Sequence, residues 1–182
     1  MPRSDAKGER DRLAPLRLET HVPNKEFLVL DTPQITETAD QLTAFIPLVV
    51  PRAEIQVVMG PSIREVYAAL SAQGIAPDGP WFTHHRRRPK ETFDFDVCVP
   101  VATPVAAAGR VKPGLLPAAR VARTVYSGPY EGLGAAWGEF YAWVSANGLT
   151  PRADLWERYV VGPESGTDSN AYRTELNCPL VG

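Results

Sequence analysis

The sequence predicts an α+β fold built from two βαββ units, with antiparallel sheets and with the helices on one face. The main observation is an internal repeat: residues 70–77 match residues 144–151, and residues 96–101 match residues 175–180. The hydrophobic period also changes along each half between the helical and the strand value. Finally, 18 Pro and 14 Gly in 182 residues favour many short elements joined by turns.

The repeat also predicts how the two units combine. One unit cannot bury both faces of its sheet and helix, so we expect the halves, residues 33–101 and 117–180, to share a core about a pseudo-twofold axis. The seam between the halves is the expected ligand cleft, because pockets favour interfaces between units.

The first half begins after a charged N-terminal stretch. We expect residues 1–24 to be a flexible arm and residues 25–182 to be a single domain. An alternative is that the arm docks as an edge segment, because residues 27–30 are compatible with an additional strand. Residues 34–39 and 42–50 predict strands. Ser62 and Glu65 have the spacing of a capping box with Pro61 just before it, and Gly74 marks the end of that helix. Residues 81–88 and 91–101 predict a hairpin.

The second half repeats this order. Residues 111–117 predict a Pro/Gly linker, and strands are expected at residues 117–126, 155–161 and 171–180. Turn-forming residues fill positions 162–170. A helix is expected over residues 130–147, where Trp137, Phe140, Tyr141 and Val144 lie on one stripe. Such a stripe is more often part of a core than of a ligand site.

Composition and charge exclude several classes of function. A net charge of −2 and a pI of about 5.9 give no basic surface for nucleic acid, so no direct nucleic-acid binding is expected. No apolar run is long enough to span a bilayer, and the charged N-terminus lacks a signal core. Cys98 and Cys178 lack metal-ligand spacing and a disulfide framework. We therefore expect a cytoplasmic protein without metal or cofactor.

One carboxylate stands out in the strand over residues 155–161. Alternation places Leu155, Glu157, Tyr159 and Val161 on one face, so that the acid lies in an apolar and aromatic row. A buried carboxylate needs a partner. Either Arg120, Arg123 or Arg158 pairs with Glu157 as a structural ion pair, or Glu157 faces a pocket.

Other candidate groups surround this carboxylate in the sequence. Glu175 alternates with Arg173 and Asn177 on a polar strand face, which is typical of a solvated surface. If that face lined the cleft, Glu157 and Glu175 could form an acid/base pair. The basic run at residues 84–88 indicates a solvated hairpin end.

Several motifs of the second half are shared with a known family. They are residues 126–130, the helix with Trp137, the stop at residues 147–149, the pair Glu157 and Tyr159, and the end at residues 174–180. With these features the chain resembles the GyrI-like family, which also supplies the effector-binding domain of AraC-type and MerR-type regulators. The likeness covers roughly residues 33–180 and is weaker in the first half.

The resemblance implies a duplicated βαββ fold with a ligand cleft between the halves. The family's pocket glutamate falls on Glu157 and its other common glutamate on Glu175. Thr83 lies where the repeat would place a second Glu157, so the site is expected to be asymmetric. The expected ligand-binding residues are Glu157, Tyr159, Glu175, Trp81, Tyr130, Trp137, Tyr141, Thr83 and His85.

The resemblance leaves three functions open. The first is a stand-alone domain that binds bulky hydrophobic or aromatic compounds, including cations, as a multidrug or toxin binder or sensor. The second is a hydrolase of cyclopropane-bearing genotoxic natural products, with Glu157, Glu175 and Tyr159 as catalytic residues. The third is regulation through a protein partner, such as a transcription factor or DNA gyrase.

Overall fold

A computed structural model describes residues 29–166 and 168–182 of the chain. The expected arm at residues 1–24 lies outside the described residues, as do residues 27–28 of the additional strand. The elements are β1 (Val29–Leu30), β2 (Gln34–Glu37), β3 (Gln41–Pro51), α1 (Ile55–Ala72), β4 (Phe82–His85), β5 (Thr92–Pro100), β6 (Lys112–Leu116), β7 (Arg120–Ser127), α2 (Leu133–Ala146), β8 (Leu155–Val161) and β9 (Arg173–Pro179).

The strands form one antiparallel sheet rather than a separate sheet in each half. The order is β1-β7-β9-β8-β4-β5-β3-β6, with β2 also paired to β7. The halves meet where β4 pairs with β8, with Phe82 opposite Arg158, Thr83 opposite Glu157 and His84 opposite Trp156. The repeat makes Phe82 equivalent to Trp156 and Thr83 equivalent to Glu157. The pseudo-twofold axis therefore passes between Thr83 and Glu157, and the duplicated fold is confirmed.

Both helices pack on the same face of the sheet, which we call the helix face. Val66 and Leu70 of α1 pack against Ala44, Ile46 and Val99. Trp137 and Phe140 of α2 pack in the same way against residues of β7, β8 and β9. Burial of each large apolar side chain contributes roughly 1.5–3 kcal/mol, so these two clusters hold the helices on the sheet.

The opposite side of the sheet, which we call the far face, has its own apolar cluster. Phe82, Cys98, Leu116, Val121 and Trp156 form it. Because side chains alternate along a strand, Thr83 and Glu157 lie on the helix face, between the two helical clusters. The two free cysteines are buried on different faces, since Cys98 belongs to this cluster and Cys178 to the cluster under α2.

The start of α1 differs from the prediction. The helix begins at Ile55, and Pro61 lies inside it, so Ser62 is a buried helical residue and not an N-cap. Pro61 lacks the N–H that would bond to the carbonyl of Val57, and Val57 lies on the exposed side of the helix, with 72% of the residue accessible to solvent. Gly60 has no Cβ to clash with the proline ring. These neighbours allow the helix to continue through Pro61.

The expected linker at residues 111–117 contains a strand. Lys112–Leu116 pairs with β3, and Ala44 lies opposite Pro113. A proline is compatible with an outermost strand, because its missing N–H can face away from the neighbour. Gly114 is required for the close approach: a Cβ there would lie 2.7 Å from both Phe45 Cδ1 and Thr43 Oγ1.

Candidate functional site

Glu157 lies in the middle of the sheet on the helix face and is 9% exposed. Trp137 Nε1 of α2 donates a hydrogen bond to its Oε1 at 2.7 Å, and the Tyr159 hydroxyl donates to its Oε2 at 2.7 Å. Among the described residues, no lysine or arginine lies within 4.0 Å of this carboxylate. The expected structural ion pair is wrong for Arg158 and Arg123, which face Glu175 instead.

The hydrogen bonds continue from Glu157 into the first half of the chain. The Tyr159 hydroxyl lies 3.2 Å from Thr83 Oγ1, and Thr83 Oγ1 lies 3.1 Å from His85 Nε2. Thr83 and His85 are 2% and 3% exposed. The network thus crosses the pseudo-twofold axis and connects β8 with β4.

Aromatic rings enclose the carboxylate. Trp81 stacks on Tyr159 with ring centroids 4.0 Å apart and an interplanar angle of 19°. Tyr130 meets Tyr159 edge-on at 5.5 Å, and Tyr172 packs on Tyr130 at 5.1 Å. Rings around a carboxylate form a setting suited to planar or cationic groups.

The second helix contributes two aromatic side chains with different roles. Trp137 contacts the Tyr141 ring at 5.3 Å, and the Arg88 guanidinium lies over that ring at 4.2 Å. Sequence reasoning assigned Trp137 mainly to packing, but it is also a hydrogen-bond donor to Glu157. Tyr141 lies one ring further from the carboxylate.

Burial and nearby charge fix the protonation of the neighbouring groups. Burial, and then the charge of Glu157, raises the pKa of Tyr159 well above its usual range. Burial and the nearby carboxylates raise the pKa of Tyr130 to about 12. Burial lowers the pKa of His85, although the charge of Glu157 opposes that change. At neutral pH both tyrosines are therefore hydroxyl donors and His85 is uncharged.

Glu164 is a further acidic residue near these rings that sequence reasoning missed. Its Oε1 accepts a hydrogen bond from the Gly162 amide at 2.8 Å. A Cβ on Gly162 would lie 2.8 Å from Glu164 Oε2 and 2.9 Å from the Tyr130 hydroxyl, so these two groups face the same point. The segment at residues 162–170 carried only turn signals, which do not indicate where a side chain points.

The structure does not bring Glu175 to the site. Glu175 pairs with Arg158 across strands β8 and β9, which places it on the far face, opposite Glu157. There it lies 3.5 Å from Arg123 and 3.8 Å from Arg158, and Asn177 donates to it at 3.1 Å. The expected acid/base pair is therefore wrong, because the sheet separates the two carboxylates.

The basic run is part of the sheet and not only a solvated hairpin end. His85 belongs to the helix face, whereas His84 lies on the far face, 3.2 Å from Asp154. Arg86 donates to both oxygens of Asp96 at 2.9 Å. Arg88 covers Tyr141, so the charges of this run are used within the fold.

Two cavities in the described part of the chain are lined by residues other than Glu157. One of about 320 Å³ lies on the far face beside β6, with Phe82, His84 and Cys98 in its wall. The other, of about 230 Å³, lies beside β2 and β7. Residues 29–166 and 168–182 contain no cluster of three metal-ligating side chains and no helix with the length and hydropathy of a membrane span.

A curled antiparallel sheet with two helices on one face and a polar, aromatic seam between duplicated halves defines a small-molecule-binding module. The sequence matches the family described as GyrI-like small molecule binding domain over residues 31–181, and the chain belongs to that family. The resemblance to the GyrI-like family that the sequence indicated is thus confirmed. No curated protein matches the chain in sequence.

Solved structures share the fold at low sequence identity. The EcmrR C-terminal domain matches with a TM-score of 0.74 and 21% identity, covering 82% of this chain and 97% of that one. The EcmrR chain in a DNA complex matches with a TM-score of 0.73 and 22% identity over 82% of this chain, which spans 57% of the EcmrR chain.

Two other structures are more distant. A hydrolase from Listeria innocua matches with a TM-score of 0.60 and 12% identity, covering 82% of this chain and 91% of that one. SAV2435 bound to tetraphenylphosphonium matches with a TM-score of 0.57 and 13% identity, covering 84% of this chain and 95% of that one. The ligand, the reaction and the protein partner expected from the sequence stay predictions.

Proposed function

We propose that this domain binds bulky aromatic cations in the seam between its halves, with Glu157 as the counter-ion. The observation that carries the proposal is a buried carboxylate enclosed by aromatic rings, with no basic side chain among the described residues within 4.0 Å. Its two hydrogen bonds satisfy the oxygens, but the charge is not neutralised by a cation. A ligand cation would neutralise it.

The rings explain why the ligand should also be aromatic. Trp81 now covers the face of Tyr159, and its carbonyl accepts a hydrogen bond from the Tyr159 amide at 3.2 Å. Ligand binding would move the Trp81 indole, while its backbone stays paired with Tyr159. A planar ligand would then stack on Tyr159, and the buried Tyr130 hydroxyl, which lacks a partner among the described residues, would donate to it.

The test is calorimetric titration with tetraphenylphosphonium, the compound bound by SAV2435. Glu157→Gln should weaken binding about 10- to 100-fold, since roughly 1.4–2.8 kcal/mol of charge interaction is lost. Glu175→Gln is the matched control, because it makes the same change on the far face, and its affinity should stay within about twofold. Equal affinity of wild type and Glu157→Gln would refute the counter-ion.

A second candidate is hydrolysis of a strained, electrophilic ring. Glu157 and the Tyr159 hydroxyl are 2.7 Å apart, which suits a base and a proton donor acting together. Two of the Listeria innocua structures that share the fold are described as hydrolases. Glu157 would take a proton from water as the water oxygen bonds to a cyclopropane carbon. The electron pair of the breaking carbon–carbon bond would pass to the electron-accepting group conjugated with the ring. Tyr159 would then protonate that group. Tyr159 would recover a proton from Glu157.

This candidate is tested by turnover. The protein is incubated with a cyclopropane-bearing alkylator, and the products are followed by mass spectrometry. A product with one added water, formed by wild type and not by Glu157→Gln, would support hydrolysis. A reversible complex without that product would exclude the reaction.

A further inference from the structure

We propose that Thr83 and His85 are positioning residues: with Tyr159 they form a hydrogen-bond relay that couples the charge of Glu157 to the tautomer of His85. The relay deepens the cation-binding proposal and rests on it for its purpose. Its geometry is a chain of contacts at 2.7, 3.2 and 3.1 Å that leads from Glu157 across the pseudo-twofold axis to His85.

The direction of each hydrogen bond follows from the charge of Glu157, because Trp137 is a fixed donor to one of its oxygens and leaves the other to Tyr159. An indole N–H can only donate, so Glu157 Oε1 accepts from Trp137. When Glu157 is a carboxylate, its Oε2 accepts the hydroxyl proton of Tyr159. The contact between Tyr159 and Thr83 then needs the proton of Thr83, because the tyrosine proton is already used.

The same assignment of one proton to each hydrogen bond determines the tautomer of His85. Once Thr83 has donated to Tyr159, its oxygen can only accept from His85, so the imidazole proton must be on Nε2. His85 Nδ1 is then a bare acceptor, and it is buried without a partner among the described residues. Every proton of the relay thus points toward Glu157.

The relay has a second state in which every bond is reversed. If Glu157 carries a proton on Oε2, that group donates to Tyr159, Tyr159 donates to Thr83, and Thr83 donates to His85 Nε2. The imidazole proton must then be on Nδ1. An intermediate arrangement leaves one contact without a proton, so the two ends change together.

This coupling gives Thr83 and His85 a role at the site although neither side chain is charged. A cation beside Glu157 favours the carboxylate and therefore the state with all donors directed toward it. The first half of the chain thus supports an anionic group that only the second half carries. Neither Thr83 nor His85 has to contact the ligand.

Glu157→Gln tests the relay in the absence of any ligand. Trp137 forces the amide oxygen of Gln to face the indole, so the amide N–H₂ faces Tyr159 and donates to it. The relay must reverse, and His85 must change from the Nε2–H to the Nδ1–H tautomer. Long-range ¹H–¹⁵N NMR distinguishes these tautomers, with the His85 signal assigned by its loss in His85→Gln.

The matched control breaks the relay in the middle. Thr83→Val has a similar shape but no hydroxyl, so His85 should have the same tautomer in Thr83→Val as in the Thr83→Val, Glu157→Gln double variant. The Nδ1–H tautomer in the wild type, or an unchanged tautomer in Glu157→Gln, would overturn the proposal. Either result is independent of the affinity for cations, so failure of the relay and failure of the proposed function are separate outcomes.

Discussion

The Tyr159 hydroxyl is the group whose removal should cost this site most, and Tyr159→Phe isolates it. The ring stays, so the stack with Trp81 at 4.0 Å and the edge contact with Tyr130 are kept. Only two polar contacts are lost, the donation to Glu157 at 2.7 Å and the contact with Thr83 at 3.2 Å.

The expected magnitude follows from these two contacts. A hydrogen bond to a charged group contributes about 1.5–3 kcal/mol and one between neutral groups about 0.5–1.5 kcal/mol. Because Glu157 is buried and cannot recover the lost bond from solvent, Tyr159→Phe should lower the free energy of unfolding by about 2–4 kcal/mol. For a domain of this size that is a decrease of roughly 5–15 °C in the unfolding temperature.

The measurement is urea unfolding at neutral pH, with Tyr141→Phe as the control. The Tyr141 hydroxyl makes no side-chain hydrogen bond among the described residues, so its removal should change stability by less than about 0.5 kcal/mol. If Tyr159→Phe is also within that range, the hydroxyl does not stabilise a buried carboxylate, and the role assigned to Glu157 is wrong.

Three further predictions concern stability and thiol reactivity. Gly114→Ala should destabilise the protein by about 1–3 kcal/mol because its Cβ clashes with β3. Gly138→Ala, exposed on α2 with nothing within 4 Å of the added Cβ, should stabilise the protein by up to about 1 kcal/mol. Thermal unfolding measures both changes, and a change of the same sign in the two variants would contradict the prediction. Burial lowers the pKa of His85, so as the pH falls below about 6.5 the unfolded chain takes up this proton before the folded chain does. Stability should fall there by up to about 1.4 kcal/mol per pH unit, and His85→Gln should flatten that slope in urea titrations. Burial raises the pKa of Cys98 well above its usual range and that of Cys178 to about 11, so neither thiol should react with a disulfide reagent until urea unfolds the chain.

The features that the sequence predicted correctly depend on local periodicity. Glu157 and Tyr159 share a face because they are two residues apart on one strand, and this holds whatever the strand packs against. The helix stripe of Trp137 was predicted for the same reason. What periodicity cannot provide is the partner of a polar atom, so the bond from the Trp137 indole to Glu157 was missed in favour of packing.

The features that were wrong depend on pairing between distant segments. The segment containing Gly114 carries linker signals, and it becomes a strand only because β3 offers it an unpaired edge. Glu175 and Glu157 come from adjacent strands, and the register between those strands decides whether they share a face. A shift of one residue would have brought the two carboxylates together.

The position of the axis also explains why this duplicated scaffold carries one glutamate and not two. Thr83 and Glu157 are directly opposite each other in neighbouring antiparallel strands, where Cβ atoms lie about 4.5–5.5 Å apart. A glutamate at both positions would place two buried carboxylates together, and one of them would have to be protonated. A threonine in the first half avoids that repulsion and supplies a hydroxyl that can donate toward the acid through Tyr159. Asymmetry at this position is thus a requirement for a full negative charge on the axis, and the charge is what an aromatic cation would recognise.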